Sequence, residues 1–187
     1  MKNLKFTAIA LALSTTAVTS AFASTAAGPY VGFGLGAYNA NINQNGYNYS
    51  DQNPQASVGV FGGYQWNFGQ EALAAELSYN SNVGEINEPS GTSKLKNDWQ
   101  VSVLPGYNFT DSTEGYVRVG WTQANGDGAY SHTYQGAVLG LGVDHSITRN
   151  MALRLEWQYM NFNSFNPGSG DVNPTTEGVN VSLRYGF

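Results

Sequence analysis

Eight segments of this chain alternate apolar and polar residues with a period of two, and that repetition constrains the fold more than any other feature. The last of them, residues 178–187, is the most regular. Val179, Val181, Leu183, Tyr185 and Phe187 fall on one face of a strand, and Asn180, Ser182, Arg184 and Gly186 on the other, because successive side chains of a strand point to opposite faces. The segment ends on an aromatic residue, where chain ends are ordinarily frayed and polar. The expectation is that this Phe is used.

The other seven alternating segments are 29–38, 57–66, 71–80, 98–109, 114–124, 134–144 and 151–162. Between them, 40–55, 81–97 and 163–177 are rich in Asn, Gly, Pro and Tyr and read as long loops, and Asn125-Gly126-Asp127-Gly128 opens another. Residues 67–70, 110–113 and 146–150 read as short turns. Long and short connections therefore alternate. Hairpin connections make neighbours antiparallel, so long loops gather at one end and short turns at the other. Pro105 inside the fourth segment lacks an N–H and predicts a local break there.

The start of the chain reads as an export signal. Lys2 and Lys5 precede an apolar run over 6–13, and small and hydroxyl residues lead to Ala21-Phe22-Ala23. The apolar run is short and followed by Ser14, Thr15, Thr16 and Thr19, which argues against an uncleaved anchor. The expected division is a signal peptide over 1–23 and a single domain over 24–187. With no cysteine, disulfides, thiolate metal sites and thiol nucleophiles are excluded. A net charge of -5 argues against nucleic acid as the partner.

Alternation alone suits a soluble barrel with an apolar interior as well as a membrane barrel with an apolar exterior. Composition separates them. All four tryptophans, Trp66, Trp99, Trp121 and Trp157, lie on the apolar face toward strand ends, with Tyr185 and Phe187. Two aromatic girdles at membrane interfaces have that pattern. The other face is mostly Gly, Ser and Asn, and charged residues are only 11% of the chain, against about 25% in soluble domains. Its charges are three acids, Glu76, Asp144 and Glu156, and three bases, Arg118, Arg154 and Arg184. Buried charges persist only when paired, so a balanced set suits a narrow enclosed lumen. The resulting expectation is an all-β, eight-stranded antiparallel up-and-down transmembrane β-barrel.

Residues 59–65 (Gly-Val-Phe-Gly-Gly-Tyr-Gln) and 75–79 (Ala-Glu-Leu-Ser-Tyr) resemble the second and third strands of the OmpA-like transmembrane domain family. Residues 154–158 (Arg-Leu-Glu-Trp-Gln) and the ending 183–187 (Leu-Arg-Tyr-Gly-Phe) resemble its seventh and eighth. The resemblance implies a barrel in the outer membrane of Gram-negative bacteria, in contact with outer-membrane lipid and lipopolysaccharide. It also implies recognition of the C-terminal strand by the outer-membrane assembly machinery. Family members often carry a C-terminal peptidoglycan-binding domain, which is not expected in a chain whose last strand ends at Phe187. Ser102 and Leu104 stand on the fourth strand, where the best-known members place a lumenal base, so Glu76 and Glu156 are expected to pair with Arg118, Arg154 or Arg184.

Chemistry is hard to place on this sequence. His145-Ser146 sits at a short turn, and His132 between Ser131 and Thr133 in a long loop. Lipid A-modifying barrel enzymes are of similar size and use Ser, His and an acid, but in a spacing absent here. Gly126-Asp127-Gly128 lacks the spaced carboxylates of a calcium loop. Glu76 with Glu156 suggests an ion-pair network rather than a glycosidase pair, given the three arginines on the same face. No catalytic, metal or cofactor site is expected. The leading expectation is a structural or surface-interaction barrel with a largely plugged lumen and loops open to host or phage ligands. The alternatives are a small passive pore and a lipid A-modifying enzyme.

Overall fold

A computed structural model of the chain describes residues 27–44, 47–50, 54–88, 91–127, 133–163 and 172–187. Every regular element among them is a strand: β1 (Gly28–Gln44), β2 (Tyr47–Ser50), β3 (Gln55–Phe68), β4 (Glu71–Glu88), β5 (Gly91–Thr110), β6 (Thr113–Asp127), β7 (Thr133–Ser146), β8 (Met151–Phe162) and β9 (Val172–Gly186). Each pairs antiparallel with its sequence neighbour, apart from β2, which pairs only with β1, from Asn41↔Ser50 to Gln44↔Tyr47. β1 skips β2 to pair with β3. It also pairs with β9 from Tyr30↔Gly186 to Gln44↔Val172 and closes the sheet. Eight strands thus form an up-and-down barrel, and β2 is a short addition at one rim. Closure gives each of the eight barrel strands a partner on both sides, which a backbone in lipid requires.

The strands outrun their alternating cores. β4 and β5 stay paired as far as Glu88↔Gly91, through a register shift after Ser81, so much of the expected loop 81–97 is hairpin. Parts of 40–55 and 163–177 likewise join β1, β2 and β9, and β6 runs through Asn125, Gly126 and Asp127. Asn- and Ser-rich sequence reads as loop, yet ladder hydrogen bonds hold it in strands wherever a neighbour is already in register. For the same reason Trp99, Trp121 and Trp157 are not strand-terminal: β5, β6 and β8 continue past them to Gly91, Asp127 and Phe162. At Pro105 the strand does not break. The Pro pairs with Leu73 on β4, and only the β6 ladder is interrupted, passing from Val103↔Val119 to Gly106↔Tyr116.

The apolar faces point outward. Val31, Phe33, Leu35, Val101, Leu141 and Val181 are exposed around the wall, Phe33 at 61%. Such a continuous band is untenable in water and favourable in lipid, on the order of 1 kcal/mol for each half-exposed aliphatic side chain covered. Inside, glycines make room for rings. A Cβ at Gly32 would run into the Phe61 ring, one at Gly142 into Tyr116, and one at Gly178 into Tyr38. The interior is therefore not filled by small side chains alone. Tyr30, Ala74, Leu104 and Tyr116 pack with Phe61 in one apolar cluster. Tyr38, Ala124, Val138, Met160 and Phe162 pack with Tyr134 in a second.

Candidate functional site

The lumen holds a linear chain of alternating charges, assembled from five strands. Every strand contributes one face to the interior, and a residue's parity in its strand decides whether it joins. Arg184 of β9 donates from Nη1 to Asp144 Oδ2 of β7 at 3.1 Å. Arg154 of β8 grips the same carboxylate with two bonds, Nε to Oδ1 at 2.8 Å and Nη2 to Oδ2 at 3.0 Å. From its third nitrogen, Nη1, Arg154 reaches Glu76 Oε2 of β4 at 2.7 Å. Glu76 Oε1 accepts from Arg118 Nη2 of β6 at 2.6 Å, and Arg118 also donates from Nε and Nη2 to Glu156. The order is Arg184–Asp144–Arg154–Glu76–Arg118–Glu156, and all six are buried.

Aromatic side chains brace this chain. Tyr30 Oη donates to Glu76 Oε2 at 3.0 Å, and Tyr116 Oη donates to Glu156. The Arg154 guanidinium lies 4.8 Å from the ring centres of both Phe61 and Tyr116, and Arg184 lies 3.8 Å from that of Tyr30. A desolvated cation over a ring gains about 0.5–2 kcal/mol per contact. Bidentate arginine–carboxylate geometry adds directional strength where charges have lost their water.

The hydrogen bonding continues beyond the ions. Gln158 donates to Glu156 at 2.9 Å and accepts from Gln100 at 3.4 Å, and Gln100 donates to Asp98. Tyr38 donates to Gln158 at 3.2 Å, and Asn180 donates to Tyr38. A cavity of about 30 Å³ remains beside the chain, lined by Glu76, Arg118, Arg154, Glu156, Gln158 and Asn180 among others. That is space for water and nothing larger.

The inner face carries more acid than the expected set of Glu76, Asp144 and Glu156. Asp98 and Glu114 are buried inside as well. Asp98 accepts from Gln100, Asn80 and Thr122, and among the described residues it has no ion-pair partner. Glu114 accepts from Gln65 at 2.8 Å. The balance of three acids and three bases therefore does not hold among the described residues. Both residues kept the parity of lumenal neighbours, Asp98 with Gln100 and Glu114 with Tyr116. Both are the first residues of the alternating segments 98–109 and 114–124, so the signal was in the sequence and the count of inward charges omitted it.

The outward aromatics occur as ring pairs. Tyr64–Trp66, Tyr107–Phe109 and Tyr185–Phe187 lie near the short-turn end, with centroids 4.8, 5.6 and 5.3 Å apart. Tyr79–Trp99 at 4.8 Å and the stacked Trp157–Tyr159 at 6.4 Å lie farther from those turns. Trp121 is exposed on β6. His145 is exposed on β7 and shares a 3.1 Å hydrogen bond with Thr113. Residues 1–26, His132 and Gly128 lie outside the described residues.

Residues 8–187 match the family model described as outer membrane protein beta-barrel domain. Outer membrane protein A of Klebsiella aerogenes is 31% identical over 163 residues, covering 81% of this chain and 44% of that protein. The chain thus spans under half the length of this curated relative. Among solved structures, Neisserial surface protein A superimposes with a TM-score of 0.54 at 20% identity, covering 85% of this chain and 97% of that one. The outer membrane protein OprG of Pseudomonas aeruginosa gives a TM-score of 0.52 at 14% identity, covering 89% and 99%. These two likenesses establish the fold alone.

Proposed function

This chain belongs to the outer membrane protein beta-barrel domain family, and on that premise we propose that it is a non-enzymatic surface or structural barrel whose lumen its own side chains close. As a member it resides in the outer membrane of Gram-negative bacteria. The observation that carries the reading is the six-member ion-pair chain across the lumen. Charges bound this way rigidify the interior, and the two apolar clusters support the same reading.

Planar-bilayer conductance tests the closed lumen. Purified wild-type protein is expected to give no stable channels, whereas Arg118→Ala or Glu156→Ala, by removing a link, gives measurable openings. Stable wild-type channels altered by those substitutions would instead establish a passive pore. The water-sized cavity beside Glu76 and Arg118 is the observation that keeps this second reading in play.

The aromatic pairs at two levels of the outer wall suit interfacial anchors, with Trp66, Tyr185 and Phe187 on the periplasmic side and Trp99, Trp121 and Trp157 toward the outside. Export by a signal peptide over 1–23, delivery by the assembly machinery through β9, and host or phage ligands at the loops belong to the same proposal.

A further inference from the structure

The lumenal ion chain alternates in sign and has an even number of members, so one end is an acid and the other a base. The acid end is well satisfied, since Glu156 accepts from Arg118, Tyr116 and Gln158. The basic end is not. Arg184 donates from Nη1 to an Asp144 carboxylate that Arg154 already grips with two bonds. Among the described residues, Nε and Nη2 of Arg184 have no hydrogen-bond partner.

Arg184 lines a notch of about 10 Å³ at the short-turn end, together with Ser146, Thr148, Arg149, Asn150 and Gly186 among others. No described acid lines it. Arg149 is exposed in the β7–β8 turn and makes no ion pair among the described residues. The turn that carries it is held in place. Thr148 Oγ1 accepts from the backbone N–H groups of Asn150 and Met151 at 3.3 and 3.0 Å. Asn150 Nδ2 donates to the Gly186 carbonyl at 2.9 Å, and the Gly186 N–H to the Asn150 carbonyl at 2.8 Å. These bonds tie the turn to β9 beside Arg184.

We propose that this notch is a carboxylate-binding site open to the periplasm. Its orientation rests on the outer-membrane barrel reading, in which short turns face the periplasm. Two guanidinium groups with unused N–H donors, and no described acid in the lining, select an oxyanion. The volume holds one water-sized atom. A single oxygen therefore enters, and the rest of the ligand stays outside. A carboxylate meets that limit, whereas phosphate carries further charged oxygens that the notch cannot take. Because the turn is already tied to β9, little ordering is left to be lost on binding.

The full-length protein, carrying isotope-labelled arginine, is folded in zwitterionic micelles at about 0.1 M salt, where exposed charges are screened beyond about 10 Å. It is titrated with acetate, acetyl-Ala-Ala, the C-terminal amide of that dipeptide, and inorganic phosphate. The readout is the Nε–H resonance of Arg149 and of Arg184. Both carboxylates are expected to move both resonances saturably, the amide to move neither, and phosphate to bind severalfold more weakly. Tighter binding of acetyl-Ala-Ala than of acetate assigns a peptide end as the source, and equal binding a small free acid. Arg149→Gln, in an exposed turn outside the ion chain, is expected to keep the heat-shifted gel band and to weaken carboxylate binding about tenfold or more, the worth of one charge-assisted hydrogen bond.

Three outcomes overturn the proposal: equal shifts from the amide, phosphate binding as tightly as carboxylate, or unchanged binding by Arg149→Gln. Wild-type protein that shows no heat-shifted band would instead defeat the barrel reading. A folded barrel whose arginine resonances do not respond defeats the site alone.

Discussion

Glu76 is the residue on which the lumen turns. It is fully enclosed, shared by Arg118 and Arg154, and bonded by Tyr30. Removing its charge leaves each arginine with a single carboxylate in the buried interior. Breaking a buried pair by deleting one partner costs about 3–5 kcal/mol, far above the worth of a surface pair. Glu76→Gln is therefore expected to lower the unfolding free energy of the barrel in lipid vesicles, read from urea titration, by about 3–5 kcal/mol. Combining it with Arg118→Met should cost less than the sum of the two changes, because each single variant breaks the same Arg118–Glu76 contact, which the double variant loses only once. Strict additivity would mean that the two side chains act independently.

At the scale of elements, the hairpins set the register on which those contacts depend. The β3–β4 connection is a two-residue loop between Phe68 and Glu71, with Gly69 at φ 77°. Positive φ at the first loop residue matches the twist of a tight hairpin, and a side chain there is strained. No atom stands near Gly69, so the cost of substitution is conformational rather than steric. Gly69→Ala is expected to destabilise the barrel by about 1 kcal/mol while leaving the fold intact. An unchanged midpoint for urea unfolding would show that the turn relaxes freely. A slip of this hairpin by one residue would carry Glu76 to the lipid face and Leu77 inward, since side chains alternate strictly.

The whole molecule is a closed wall around a polar interior, inverted relative to a soluble protein. Buried side chains include Arg118, Glu156 and Gln100, whereas Leu35, Phe33 and Val101 are among the exposed ones. Opening the wall at any seam would strand ladder hydrogen bonds in lipid and charges in the lumen at once, so unfolding should be cooperative. Unheated protein on a denaturing gel is expected to migrate as a compact species and to shift on boiling, and to fractionate with outer membranes. A soluble species with no heat-dependent shift would contradict this architecture.

Alternation by itself determined which way nearly every described strand residue points. Side-chain direction in a strand has a period of two whatever the neighbours are, so Leu155 outward and Arg154 inward were legible from sequence. Tyr30, Phe61 and Tyr116 also kept inward parity, but a face mostly of glycine and serine concealed their role, because a glycine's use lies in the ring it admits. Only the tertiary structure decided which charges meet. Glu76 joins Arg118 and Arg154 across the lumen, partners 42 and 78 residues away along the chain. Parity fixes a residue's face and says nothing of its height, and height follows from the hydrogen-bond register of every strand between the partners. The same register extended β4 and β5 through sequence that reads as loop.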